Sequence, residues 1–162
     1  MCQNCGCLAN TMIEELTREH DAVVGLIRSV GAQLVAGDLS GVAATCRAVS
    51  ALLAPHVIVE EEGLFPELFR DFPGRLEALT IEHRQIERVL EEAEYGVPAD
   101  LSWPERVRDG LGILREHILK EQDGVFPAAV ISLDGDQWEN VVRVRQRVGS
   151  FLGGRTPEVH PA

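Results

Sequence analysis

The chain has 162 residues, 45% of them hydrophobic, with 15 Lys+Arg against 26 Asp+Glu and a formal net charge of -11. That is one ordinary domain with enough apolar residues for a core, and its acidic balance, with no basic patch, argues against nucleic acid and membrane as partners. No apolar run approaches the roughly 20 residues that span a bilayer, and the start, Met1-Cys2-Gln3-Asn4-Cys5-Gly6-Cys7, has neither the charge nor the apolar stretch of a secretion signal.

The chain reads as helical nearly throughout. Thr11-Met12-Ile13-Glu14 has the form of a capping box and predicts a helix start. Ile13, Leu16, His20, Val23, Ile27, Val30 and Leu34 then recur at steps of three and four, which marks one face of a helix ended by Gly37-Asp38. A second helix is predicted near residues 40–70, with Val42, Cys46, Val49, Leu53, His56 and Glu60 on its inner face. Pro55 should kink it, because proline removes a backbone donor and clashes with the preceding turn. A third begins around Pro73 and buries Leu76, Leu79, His83, Ile86 and Leu90. The stretch 96–100 is a loop, and Ser102-Trp103-Pro104-Glu105 predicts a second capping box. The fourth helix carries Val107, Leu111, Leu114, His117, Glu121 and Val125. A shorter amphipathic helix near 136–148 and a loose tail follow.

Nothing reads as a strand. The expected fold is all-α: an up-down-up-down four-helix bundle with a short additional C-terminal helix. Its divisions are a cysteine-containing arm at 1–10, the bundle at 11–150 and the tail at 151–162.

The sequence contains a duplication. Leu16-Thr17-Arg18-Glu19-His20 differs from Leu79-Thr80-Ile81-Glu82-His83 only at its third residue. The segments starting at His56 and His117 share the histidine, a glutamate four residues on (Glu60, Glu121), then Gly, Phe and Pro. Each half is thus a helical hairpin with one histidine on its first helix and His-x-x-x-Glu on its second. Residues four apart share a helix face, so His56 with Glu60, and His117 with Glu121, can bind one metal ion or bridge two. A lone histidine in a buried slot is more often a hydrogen-bonded core residue. Four of them with two buried carboxylates would leave many polar groups needing partners, each costing ~1–3 kcal/mol if unpaired. Bound metal satisfies them together.

Imidazole and carboxylate ligands without thiolate argue against structural zinc or an iron–sulfur cluster. Six ligands suit two ions bridged by carboxylates, with iron favoured over manganese. Residues 17, 53, 80 and 114, three before each histidine, are Thr or Leu, so the Glu-x-x-His pairs of ferritin-like sites are absent.

With Glu19-His20-Asp21, His56-x-x-x-Glu60-Glu61, Glu82-His83-Arg84 and His117-x-x-x-Glu121, each hairpin closing on Phe-Pro, the chain resembles the hemerythrin family. The likeness is to the bacterial hemerythrin-like HHE cation-binding domains, over roughly residues 11–128. The resemblance implies two non-haem iron ions with an oxo or hydroxo bridge, for which manganese or zinc would be the substitutes. It makes His20, His56, His83 and His117 the nitrogen ligands and Glu60 and Glu121 the oxygen ligands, with no catalytic residue beyond them. Glu87 stands where oxygen-carrying hemerythrins have a fifth histidine. It is either an additional ligand or an exposed helix glutamate, and the substitution points to sensing or redox chemistry rather than reversible oxygen carriage.

Of the four cysteines, Cys2, Cys5 and Cys7 crowd the start and Cys46 falls in a helix. That is no disulfide framework and fits a reducing, cytoplasmic setting. Cys2, Cys5 and Cys7 are candidate redox or metal-delivery thiols, or a plain arm; Cys46 is expected in the core. The expected function is binding of, or reaction with, a small oxidant (O2, H2O2 or NO), as in a catalase- or peroxidase-like enzyme, in a pocket lined by Ile27, Val59 and Leu114. The alternative is a non-enzymatic iron or oxygen sensor, or an iron-binding module. An electron donor and a second copy of the chain are the macromolecular partners to consider.

Overall fold

The computed structural model describes residues 5–153. Among the described residues there is no strand. Helix α1 spans Cys5–Ala36 and α2 spans Leu39–Ile58. A π-helical segment, Val59–Leu64, leads into the single turn α3, Phe65–Leu68. Helix α4 spans Pro73–Glu91 and α5 spans Trp103–Lys120; a second π-helical segment, Glu121–Val125, leads into α6, Phe126–Ser132, and α7 closes the fold at Gly135–Val148.

The predicted inner faces of the second, third and fourth helices are buried where the spacing put them, while on the first Leu16, His20, Val23 and Val30 are buried and Ile13, Ile27 and Leu34 half-buried. Every one of the eleven positions named for α4 and for the fourth helix is buried, as are the six named for the second. Helix α1 ends at Gly37, whose φ of 71° is the left-handed conformation that glycine adopts without strain, and Asp38 N–H returns to Gln33 O. The Asp38 carboxylate then caps α2 by accepting from Gly41 N–H at 2.9 Å.

Three expectations are corrected. Thr11 does not start a helix: α1 already begins at Cys5, and Thr11 Oγ1 donates back to Cys7 O at 2.8 Å, one turn earlier. Ser102 precedes α5 without a side-chain cap, because its hydroxyl donates to Asp100 Oδ1 instead. And the second helix is more apolar than its individual runs indicate. Leu39–Leu68 contains an 18-residue window of mean hydropathy 1.6, long and apolar enough by composition to cross a membrane. Half of that window is buried inside the protein. Its Val42, Val49, Leu52 and Leu53 belong to the core, which accounts for the composition.

Helix α2 runs through Pro55 to Ile58, and the irregularity comes later, at the π segments. Each is followed by Phe-Pro. Phe65 N–H reaches back five residues to Glu60 O, and Phe126 N–H to Glu121 O. Pro66 and Pro127 have no N–H to continue the α ladder, so a wide turn ahead of them costs little.

The core has two parts. One gathers Val23, Val30, Val49, Leu90, Leu111 and Trp103. The other gathers Met12, Leu16, Leu64, Leu79, Phe126 and Trp138. The histidine on each of α1, α2, α4 and α5 falls where its helix passes from one part to the other. A polar layer is thereby enclosed between two apolar ones. Helix α1 packs on α2 and α5, and α4 on α5 and α2. Helix α7, capped by a reciprocal Asp134–Gln137 box, lies on the first π segment and on α1. It approaches closely at Gly63, where a Cβ would come within 3.3 Å of the Val141 backbone.

Candidate metal centre

His20, His56, His83 and His117 and the carboxylates of Glu60 and Glu121 are all buried, with Glu60 and Glu121 fully so. They form two overlapping clusters: His20, His56, Glu60 and Glu121 in one, and Glu60, His83, His117 and Glu121 in the other, with candidate ligand atoms within 4.8 Å of one another. The two glutamates are common to both. Glu60 Oε1 lies 3.0 Å from His56 Nε2 and its Oε2 lies 3.3 Å from His83 Nε2. Glu121 Oε1 lies 3.0 Å from His117 Nε2 and its Oε2 lies 3.2 Å from His20 Nε2. Each carboxylate therefore offers one oxygen to each cluster. It reaches the histidine one turn back on its own helix and the first-helix histidine of the other hairpin.

Despite these separations, both oxygens of Glu60, both of Glu121, and Nε2 of His56 and His117 have no hydrogen-bond partner. The atoms are close but not aimed at one another. Six buried polar atoms without partners are costly unless something else binds them. Metal–ligand bonds of about 2.0–2.2 Å at right angles place neighbouring donor atoms roughly 3 Å apart. The donor types, the spacing and the orphaned lone pairs all fit metal.

The outer nitrogens are held by a second set of carboxylates. His56 Nδ1–H donates to Glu19 Oε2 at 2.7 Å, His83 Nδ1–H to Glu61 Oε1 at 2.7 Å, and His117 Nδ1–H to Glu82 Oε2 at 2.9 Å. Such bonds fix the tautomer and aim Nε2 inward. Glu61 is in turn paired with Arg84, and Glu82 with Lys120. Glu19 is held by Arg145 Nη2 at 2.8 Å and by the Ser150 hydroxyl. His20 differs, because its buried Nδ1 has no partner. The residue matching Glu61 in the second hairpin is Gln122. His20 stacks on Phe126 instead (5.4 Å between ring centroids), as His83 stacks on Phe65 at 6.0 Å. The Phe of each Phe-Pro turn thus braces the first histidine of the other hairpin.

The electrostatics follow the geometry. Burial by itself lowers the His56 pKa, but Glu60 and Glu19 outweigh it and raise it from 6.5 to about 10. His83 is raised in the same way, against burial, to about 9 by Glu60 and Glu61. Burial would raise Glu60, yet His56 and His83 hold it well below the usual carboxylate range. Glu19, also opposed by burial, is lowered to about 2 by His56, Arg145 and Ser150. In the metal-free chain, protons on imidazole supply the positive charge that these carboxylates need.

A cavity of about 210 Å³ opens onto all four histidines and is lined by Leu53, Ile86, Leu90, Leu114 and Glu87. Leu114 is where the sequence placed it. Ile27 faces a separate surface groove, and Val59 is enclosed in the second core part. Glu87 lines the cavity one turn beyond His83 but belongs to neither cluster, and its carboxylate accepts from Arg84 Nη1. Cys7 is exposed and Cys46 is buried, both with free thiols. Cys2 and the Cys5 side chain lie outside the described residues.

Sequence reasoning gave no role to the three outer carboxylates or to Arg145. Glu19 and Glu82 were visible, since each precedes a histidine inside the duplicated motif. Glu61 has no counterpart, and Arg145 stands far along the chain.

No curated protein and no solved structure matches the chain. The family model for the hemerythrin HHE cation binding domain matches residues 11–129, which contain all six clustered side chains and the three outer carboxylates. By that match and this site, the chain belongs to the hemerythrin HHE cation-binding domain family.

Proposed function

We propose that this chain is a non-haem di-iron protein that binds or reacts with a small oxidant: oxygen, peroxide or nitric oxide. The observation that carries the reading is the sharing of Glu60 and Glu121 between two histidine pairs, one carboxylate oxygen to each. One ion would take His20 and His56, the other His83 and His117, and the two glutamates would bridge them. Imidazole and carboxylate together suit iron. Iron held there would supply electron exchange with the oxidant.

The protein's own groups do the rest. Glu19, Glu61 and Glu82 hold three imidazoles in register through Nδ1. Leu53, Ile86, Leu90 and Leu114 supply the apolar part of a cavity sized for a small ligand. Glu87, paired with Arg84, would have to leave that partner to act as a seventh ligand. The same reading takes the four long helices as an up-down-up-down bundle. In its support, α1 and α4 run from the Leu16/Leu79 part of the core toward the Val23/Leu90 part, and α2 and α5 run the opposite way. A cytoplasmic setting and a separate electron donor belong to this reading as well.

The test is elemental analysis with ultraviolet–visible spectroscopy of protein purified without added metal, before and after peroxide or nitric oxide. Two irons per chain and a spectrum that responds to either oxidant are expected. Catalytic oxygen evolution from peroxide would assign an enzyme. A single stoichiometric change would assign a sensor or iron-binding module. Protein free of iron, or a spectrum indifferent to both oxidants, would overturn the proposal.

A further inference from the structure

The two metal positions are anchored unequally. At the His83/His117 position both imidazoles have an outer carboxylate, and both carboxylates sit at the surface, with side chains 19% and 18% exposed, beside the solvent-exposed cations Arg84 and Lys120. At the His20/His56 position only His56 has one, because His20 Nδ1 has no partner. That single anchor, Glu19, is 1% exposed and is gripped by Arg145, which is 0% exposed. Arg145 Nη2 donates to Glu19 Oε2 at 2.8 Å, its Nη1 donates to Gly149 O at 2.8 Å, and its Nε lies 3.4 Å from Glu15 Oε2. The Ser150 hydroxyl donates to the other oxygen of Glu19.

Arg145 and Ser150 lie beyond the stretch that the family model matches. Helix α7 brings them in. Trp138, Val141, Val142 and Arg145 form its buried face, and Gly63 admits that face against the segment that carries Glu60. A fully buried guanidinium needs charged and hydrogen-bonding partners, and here Nη2 is taken by the carboxylate that orients a candidate ligand and Nη1 by Gly149 O, while Nε has no hydrogen bond and faces only the Glu15 carboxylate. We propose that Arg145 is a positioning residue for the His20/His56 metal position, acting through Glu19 on His56. Ser150 assists it, and α7 serves as a clasp on one of two otherwise similar sites. This rests on the two-ion reading above.

The experiment is iron release. Protein loaded anaerobically with ferrous iron is mixed with excess chromogenic ferrous chelator, and the loss of each ion is followed in the wild type and in Arg145→Lys, Ser150→Ala and Glu82→Gln. Outer-shell partners are typically worth about 10–100-fold in metal affinity. One of the two irons should leave about tenfold faster from Arg145→Lys, and faster by a smaller factor from Ser150→Ala, with the other unchanged. Glu82→Gln should hasten the ion that Arg145→Lys spares. Ser150→Ala removes one hydroxyl and leaves the buried charges paired, so it keeps the test open if the arginine variant folds poorly. Equal acceleration of both ions would make Arg145 a general stabilising residue and overturn the inference. So would wild-type release from both Arg145→Lys and Ser150→Ala. A wild-type chain that holds fewer than two irons would instead overturn the two-ion reading, and the inference with it.

Discussion

Glu60→Gln separates the shared-carboxylate arrangement from a collection of independent ligands. The change keeps the shape, removes one charge and turns one acceptor oxygen into an amide donor. Glu60 faces two histidines from different helices, His56 at 3.0 Å and His83 at 3.3 Å, so a single substitution reaches both metal positions. In the metal-free chain its loss leaves two raised-pKa imidazoles opposite Glu121 alone among the bridging pair. Removing one partner of a buried ion pair costs about 3–5 kcal/mol. The lower end applies here, because the Glu60 oxygens accept no aligned hydrogen bond. At about 2–4 °C per kcal/mol for a chain of this size, the metal-free melting temperature should fall by about 6–12 °C. Thermal melting by circular dichroism and iron content after brief chelation are the assays. Both irons should be retained less well than in the wild type. A variant that keeps two irons with wild-type resistance to chelator, and melts within about 2 °C of the parent, would refute the reasoning.

Four further outcomes follow from the structure. His117→Ala removes a donor from one cluster only, so iron should fall from two toward one per chain by elemental analysis; full occupancy would remove His117 from the ligand set. Loading the metal-free chain at pH 7 should release protons, because His56 and His83 are raised to about 10 and 9 and must be neutral at Nε2 to bind. An indicator dye in weak buffer reads this, and no release would contradict the assigned protonation. The corresponding stabilisation of the metal-free chain is fully present below pH 6.5, the ordinary imidazole value, and is lost as pH rises through about 9–10, so that chain should melt lower at pH 10 than at pH 7. Gly63→Val should force α7 off the first π segment, since even a Cβ would meet Val141 at 3.3 Å. Overpacking of this kind costs about 1–3 kcal/mol, and an unchanged melting temperature would show that α7 yields freely.

The residues that were legible in the sequence are those whose role is fixed by helical period. His20, His56, His83 and His117 occupy apolar-register slots, and that register is independent of any partner. The duplication then identified them as a set. The fold class was readable for the same reason, as were the helix ends at Gly37 and Pro73. What failed were choices among competing local partners. Thr11 and Ser102 each have a hydroxyl that can cap a helix, but a backbone carbonyl one turn back and the Asp100 carboxylate were nearer acceptors. The wide turn ahead of Pro66, which carries Glu60 into the shared position, had no signal beyond the Phe-Pro pair itself. Arg145 was missed although its spacing from Trp138, Val141 and Val142 puts it on the buried face of α7, unlike Arg143 and Arg147; that spacing does not say what a buried arginine meets. Only packing against α1 puts it beside Glu19.

The most direct test of the central claim is anomalous diffraction at the iron edge from crystals of protein purified without added metal. The account predicts two peaks, one between His20 and His56 and one between His83 and His117, with Glu60 and Glu121 touching both. A single peak, two peaks that share no carboxylate, or iron bound anywhere else on the chain would contradict it.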